Sequence, residues 1–168
     1  MISIIILISS LFLDGLLTNY LPYLVNDLSL FTPLFTVVSI FLIYPFYRKK
    51  DNKYYLTVFI TGIIYDLLYT NLGVLNGVLF LLIGITSKYI HKYFEPSIIK
   101  LAINIIIIIS IYESLMGLIL FIFQLVPVTI PKISYKITHS LLMNIIYAEL
   151  IELLIKSIPN KYRKISIN

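Results

Sequence analysis

The chain has 168 residues, of which 60% are apolar and 12% charged, and its mean hydropathy is +0.98. A soluble domain of this size carries about 25% charged residues, so a water-facing surface cannot be covered and the composition marks an integral membrane protein. The formal net charge of +5 sits in short clusters between apolar runs, a pattern of membrane topology and not of nucleic-acid binding, and the absence of cysteine excludes disulfides, thiolate metal sites and a thiol nucleophile.

A bilayer-spanning helix needs about 20 mostly apolar residues, and the chain reads as a single all-α transmembrane domain, residues 1–168, with six such spans. The first runs from about residue 2 to 20 and carries Asp14. It has neither a basic leading segment nor a small-residue cleavage site, so it reads as a retained helix. Pro22 bars its continuation. The second covers about 30–47, with Pro33 expected in its first turn and Pro45 near its end. Arg48-Lys49-Lys50-Asp51-Asn52-Lys53 then forms the strongest charge cluster. The third and fourth spans cover about 54–69 and 74–89, and Pro96 breaks the connection that follows. The fifth covers about 101–125, Pro127 and Pro131 mark an extended loop, and the sixth covers about 137–158.

Of the 13 basic residues, all but Lys132 and Lys136 fall on one side of this layout. The bias places both termini inside, in the cytoplasm. Tyrosines, among them Tyr20, Tyr44, Tyr47, Tyr54 and Tyr89, cluster at the helix ends, where an aromatic belt belongs.

An acid inside an apolar span is expensive and should face protein. Two acids do this in matched settings: Asp14, Leu16, Thr18 and Asn19 correspond to Asp66, Leu68, Thr70 and Asn71 at a constant offset of 52. In each copy Asp and Thr lie four apart and share a helical face. One reading makes these acids a contact or ligand face inside the bundle. The plainer reading makes them polar ties between helices, bonded to Asn and Tyr; pairing with Lys132 or Lys136 is a third.

Gly62 stands four residues before Asp66 and lets another backbone approach that face. Gly73 and Gly77 form a small-xxx-small pair beside Asn76, with Gly84 near the same stripe, which suits close helix packing or a helix-pair interface. On the fifth span Ser110, Glu113, Gly117 and Gln124 share a stripe. Glu113, the deepest acid, reads as a packing contact within the protein or with a partner helix; a proton-relay group is the alternative. On the sixth span Glu149 and Glu152 are followed by Lys156, and Glu152–Lys156 has the favourable order for a helix ion pair. His91 and His139 lie at opposite ends and cannot form one metal site. No nucleophile–base pair, cofactor motif or phosphate loop is present, so the sequence predicts no enzyme and no cofactor.

The stretch Gly62-Ile-Ile-Tyr-Asp66-Leu67-Leu68, followed by Leu72-Gly73-Val74-Leu75-Asn76-Gly77, together with Leu13-Asp14-Gly15 and Tyr20-Leu21-Pro22, resembles the MreD family of bacterial rod shape-determining proteins. The length, the six spans and the lack of an extramembrane domain fit the same layout. The resemblance implies a non-enzymatic scaffold of the plasma membrane. Its partner would be MreC, a bitopic membrane protein. Through it the chain would link the MreB filament system to the proteins of lateral-wall peptidoglycan synthesis and so to cell shape. The residues carried over are Asp14, Gly62, Asp66, Gly73, Asn76 and Gly77; Asp27, Glu113 and Glu149 have no counterpart. The family is similar in helical arrangement to the substrate-binding components of energy-coupling-factor transporters. A membrane component that captures a small, vitamin-type solute is therefore the rival reading, and it requires a pocket lined by Asp14 and Asp66. A homodimer stays open.

Overall fold

The computed structural model describes residues 2–20, 32–48, 50–70, 73–93, 98–124 and 129–157. Among them every regular element is helical: α1 (Ile2–Tyr20), α2 (Phe35–Ile43), a 3-10 turn (Tyr44–Tyr47), α3 (Asp51–Tyr65), a π-helical turn (Asp66–Thr70), α4 (Leu75–Tyr93), α5 (Ile98–Ile122) and α6 (Ile130–Ser157). Three stretches are long and apolar enough to cross a membrane: Ile2–Tyr20, Lys100–Ile122 and Ile130–Ser157.

The shortest helix occupies the centre. All nine residues of α2, Phe-Thr-Val-Val-Ser-Ile-Phe-Leu-Ile, are buried, because a helix that is apolar all round has no face to offer water. It packs against α1, α4, α5 and α6. Its two hydroxyls are both bonded, Thr36 to Asp14 and Ser39 to Tyr147 Oη. Tyr147 also stacks on Phe35, ring centroids 4.2 Å apart. On the other side Tyr54 of α3, fully buried, donates to Ile40 O at 3.0 Å.

Several helix boundaries differ from the sequence expectation. Pro33 does not open α2; it precedes it, and the helix starts at Phe35. The residue before a proline is pushed out of the α region, and the first helical N–H groups are claimed by Asp14. Pro45 converts the end of α2 into the 3-10 turn. Conversely, Pro131 does not sit in a loop. It lies in the first turn of α6, where its missing N–H has no intrahelical partner to lose, so α6 begins at Ile130 and Lys132 and Lys136 are helical. The start expected for the second span, residues 30–31, the end of the fifth at 125, Pro127, and Asp27 lie outside the described residues.

The closest helix pair is α3 against α4, running antiparallel. A Cβ added at Gly62 would sit 2.6 Å from Gly77 Cα, and one at Gly77 would meet Phe59 and Ile63 at 3.2 Å. Gly84, two turns on, faces Tyr54 and Val58. The glycines thus form a packing stripe inside this hairpin. Gly73 does not belong to it. It is exposed, nothing lies within 4 Å of an added Cβ, and its φ of +77° supplies the left-handed turn ahead of α4. Gln124, expected on the α5 stripe, lies past the helix end, also left-handed at φ +53°, and closes α5 through its N–H to Phe121 O.

Gly62→Ala is expected to lower the stability of the detergent-solubilised chain by about 1–3 kcal/mol, the usual cost of overpacking. Gly84→Ala, whose methyl would lie 3.2 Å from the Tyr54 ring, should cost less. Thermal melts followed by circular dichroism test the order.

Candidate functional site

The two sequence-matched acids do the same physical work. Asp14, 3% exposed on α1, reaches the first turn of α2. Its Oδ1 accepts from Phe35 N at 2.9 Å, and its Oδ2 accepts from Thr36 N at 2.9 Å and Thr36 Oγ1 at 2.7 Å. Asp66, fully buried at the end of α3, reaches the first turn of α4. Its Oδ2 accepts from Asn76 N and its Oδ1 from Asn76 Nδ2, both at 2.7 Å, and Thr70 Oγ1 donates to the same Oδ1. The first N–H groups of a helix have no intrahelical partner. A carboxylate there satisfies them and meets the positive end of the helix dipole. Each aspartate therefore caps the helix that follows its own.

A π-helical turn begins at Asp66, whose own N–H still bonds back to Gly62 O and Ile63 O of α3. Leu67 and Leu68 on this turn are 71% and 60% exposed, and Thr70, four residues on, donates to the Asp66 carboxylate. In the first copy α1 stays α-helical, and Thr18 instead donates to Asp14 O at 2.7 Å. The two copies are also tied to each other. Tyr69 lies over Gly15, where an added Cβ would come within 2.7 Å of its ring, and its hydroxyl donates to Leu11 O at 2.7 Å.

Glu113 joins the same neighbourhood. Tyr65 and Tyr112 each lie within electrostatic reach of Asp14, Asp66 and Glu113. Tyr112 donates to Asn76 Oδ1 at 2.9 Å, so the amide that bonds Asp66 is itself bonded by α5. Asp66, Asn76 and Tyr112 thus link α3, α4 and α5 in one chain of hydrogen bonds. Glu113 is 6% exposed, with Lys136 of α6 in electrostatic reach. Of the remaining positions, Gly62, Gly77 and Asn76 converge on the α3–α4 contact, whereas Gly73 stands apart in the turn. Glu152 and Lys156 form the expected i,i+4 ion pair at 3.4 Å. Glu149 is half-buried, and His139 stacks on Tyr135 at 3.7 Å, away from His91, which packs on Phe41 and Tyr44.

Sequence reasoning missed Asn144. This fully buried residue of α6 accepts from Leu34 N at 2.9 Å and donates to Thr32 O at 2.8 Å and Ser140 O at 2.7 Å. It grips the entry to α2 just ahead of the residues that Asp14 holds. The signal was a lone amide in the apolar run Leu-Leu-Met-Asn-Ile-Ile, read by the same rule that singled out the acids.

Chemically, the arrangement fastens helices. The oxygens of Asp14 and Asp66 are engaged by protein donors, and among the described residues no cluster of His, Asp or Glu could hold a metal ion. Comparison with known protein families, curated proteins and solved structures returns no match.

Asp14→Asn and Asp66→Asn each place an amide group against backbone N–H donors. Each is expected to cost about 1–3 kcal/mol, as for buried groups left unsatisfied. Thr36→Val removes only one of the three donors to Asp14 and should cost about 1 kcal/mol. Melting temperatures of the three variants in one detergent, compared with the parent, check this ranking.

Proposed function

We propose that the chain is an MreD-like scaffold of the bacterial plasma membrane. In this reading six helices cross the bilayer, both termini face the cytoplasm, and the chain binds an MreC-like single-span protein. It thereby couples the MreB system inside to lateral-wall peptidoglycan synthesis outside. The observation that carries the reading is the role of the residues the resemblance marks: Asp14 and Asp66 are spent on capping α2 and α4. Gly62, Asn76 and Gly77 lie in the contact that presents one of those caps. A fold whose marked residues hold its own helices in register offers fixed outer faces to partner helices, which is what a scaffold needs.

The layout supports the orientation. Ser3 at the start of α1 bonds Tyr47 Oη at 3.0 Å, and Lys88 pairs with Asp51 at 2.6 Å. The start of α1, the end of α2, the start of α3 and the end of α4 therefore share one end of the bundle with the basic residues. The capping aspartates lie at the other. The transporter reading wants Asp14 and Asp66 to meet a solute, but their oxygens are committed to Phe35, Thr36, Thr70 and Asn76.

Purification of the tagged chain from its native membrane in mild detergent, with mass spectrometry of the accompanying proteins, tests the proposal. An MreC-like bitopic protein is expected, and depletion of the chain should round rod-shaped cells. Recovery of a pair of ATPases in its place, or unchanged cell shape on depletion, overturns the reading.

A further inference from the structure

At the end of the bundle away from the aspartate caps lies a cavity of about 390 Å³, lined by Tyr44, Arg48, Lys88, His91 and Lys92. Small-molecule clefts start at about 300 Å³, so it is large enough for a headgroup and not merely for water. Three of the five lining side chains are cationic. Among the described residues the acid beside the cavity is Asp51, which is matched by Lys88, Nζ to Oδ2 at 2.6 Å. Arg48 is exposed and makes no ion pair with a described residue, so its planar fork of donors is open to a ligand from outside. Such a fork suits a phosphate group in particular.

The remaining lining is aromatic. His91 Nδ1 lies 2.9 Å from Ser87 O, and because a carbonyl oxygen only accepts, Nδ1 is the donor of that bond. The ring is held in place between Phe41 and Tyr44, centroids 4.3 and 5.4 Å away. The Tyr44 hydroxyl adds a group that can donate or accept. Cationic donors with a tyrosine hydroxyl beside them match a phosphate group. The position matches too: the cavity sits at the junction of α2, the 3-10 turn and the last turns of α4. Basic pockets between helices at the cytoplasmic boundary of a bilayer hold anionic lipid headgroups.

We propose that this cavity binds a phosphate group with net negative charge, carried by an anionic phospholipid headgroup or free in solution. The phosphate site stands on the cavity; its lipid source rests on the membrane orientation proposed above, and neither requires an MreC-like partner.

The test is native mass spectrometry of the full chain in neutral detergent. The chain is titrated separately with dioleoylphosphatidylglycerol, dioleoylphosphatidylcholine and inorganic phosphate. Tighter binding of phosphatidylglycerol than of phosphatidylcholine is expected. Arg48→Gln with Lys92→Gln should weaken it roughly 10- to 30-fold, from two lost cations near the surface. Lys53→Gln with Lys100→Gln, which removes two exposed cations outside the cavity, should leave it intact. Arg48→Gln alone must show a partial loss, which keeps the test decisive should the double variant prove unstable. Inorganic phosphate that binds with the same dependence on Arg48 supports the site and assigns its source to the free anion. Equal binding of the two lipids, equal loss in both double variants, or no binding of either phosphate form overturns the proposal.

Discussion

A carboxylate in a membrane and the first turn of a membrane helix are each costly by themselves. The carboxylate is a charge without water; the helix start is a set of N–H groups without acceptors, each unsatisfied one worth several kcal/mol in hydrocarbon. Placing one on the other removes both penalties together. Asp14 on Phe35 and Thr36, and Asp66 on Asn76, do this twice in the chain. In each case the acceptor comes from the preceding helix, so the cap is also a tertiary tie. Its geometry sets where one helix must begin relative to the end of another. In lipid, where apolar burial does not drive helices together, such ties and close packing carry the assembly.

The consequence is clearest at α2. Its described helical part is nine residues of α-helix extended by a four-residue 3-10 turn. The element nevertheless forms the centre of the fold, because both flanks are secured by side chains from elsewhere. Asp14 holds Phe35 and Thr36, and Asn144 holds Leu34 and Thr32. At its far end Ser3 of α1 bonds Tyr47.

What the sequence made legible follows from this physics. Asp14 and Asp66 stood out because an acid in an apolar run has few explanations. Their spacing to Thr18 and Thr70 marked the repeat, and Gly62 with Gly77 announced a close backbone approach. The donors on the other side were hidden. Phe35 and Thr36 contribute backbone N–H groups, which every residue possesses, and Asn144 contributes an amide whose targets lie 110 and 112 residues away. Helix starts were misplaced at Pro33 and Pro131 for a related reason. Proline is compatible with the first turn or with the residues before it. At Pro33 the tertiary cap by Asp14 decides, and at Pro131 the helix starts on local bonds from Lys132 N and Ile133 N to Thr129 O.

The repeat is therefore one of acceptors and not of structure. Thr18 and Thr70 occupy equivalent positions four residues after their aspartates, yet Thr18 bonds the Asp14 backbone while Thr70 bonds the Asp66 side chain. The difference lies in what the next helix supplies. Thr36 brings a hydroxyl as well as its N–H to Asp14. Asn76 brings an amide to Asp66 but spends its carbonyl oxygen on Tyr112. With Tyr112 bonded to Asn76, α5 is tied into the second cap as well, and the chain leaves Asp66 in a π-helical turn, underwound relative to an α-helix. One residue pattern thus yields two solutions: a plain cap where the target helix is central, and a cap on a π-turn where the target is also tied to a third helix. Leu67 and Leu68 on that turn are exposed. Any partner helix that lies against them meets a surface whose position is set by the buried aspartate directly behind it.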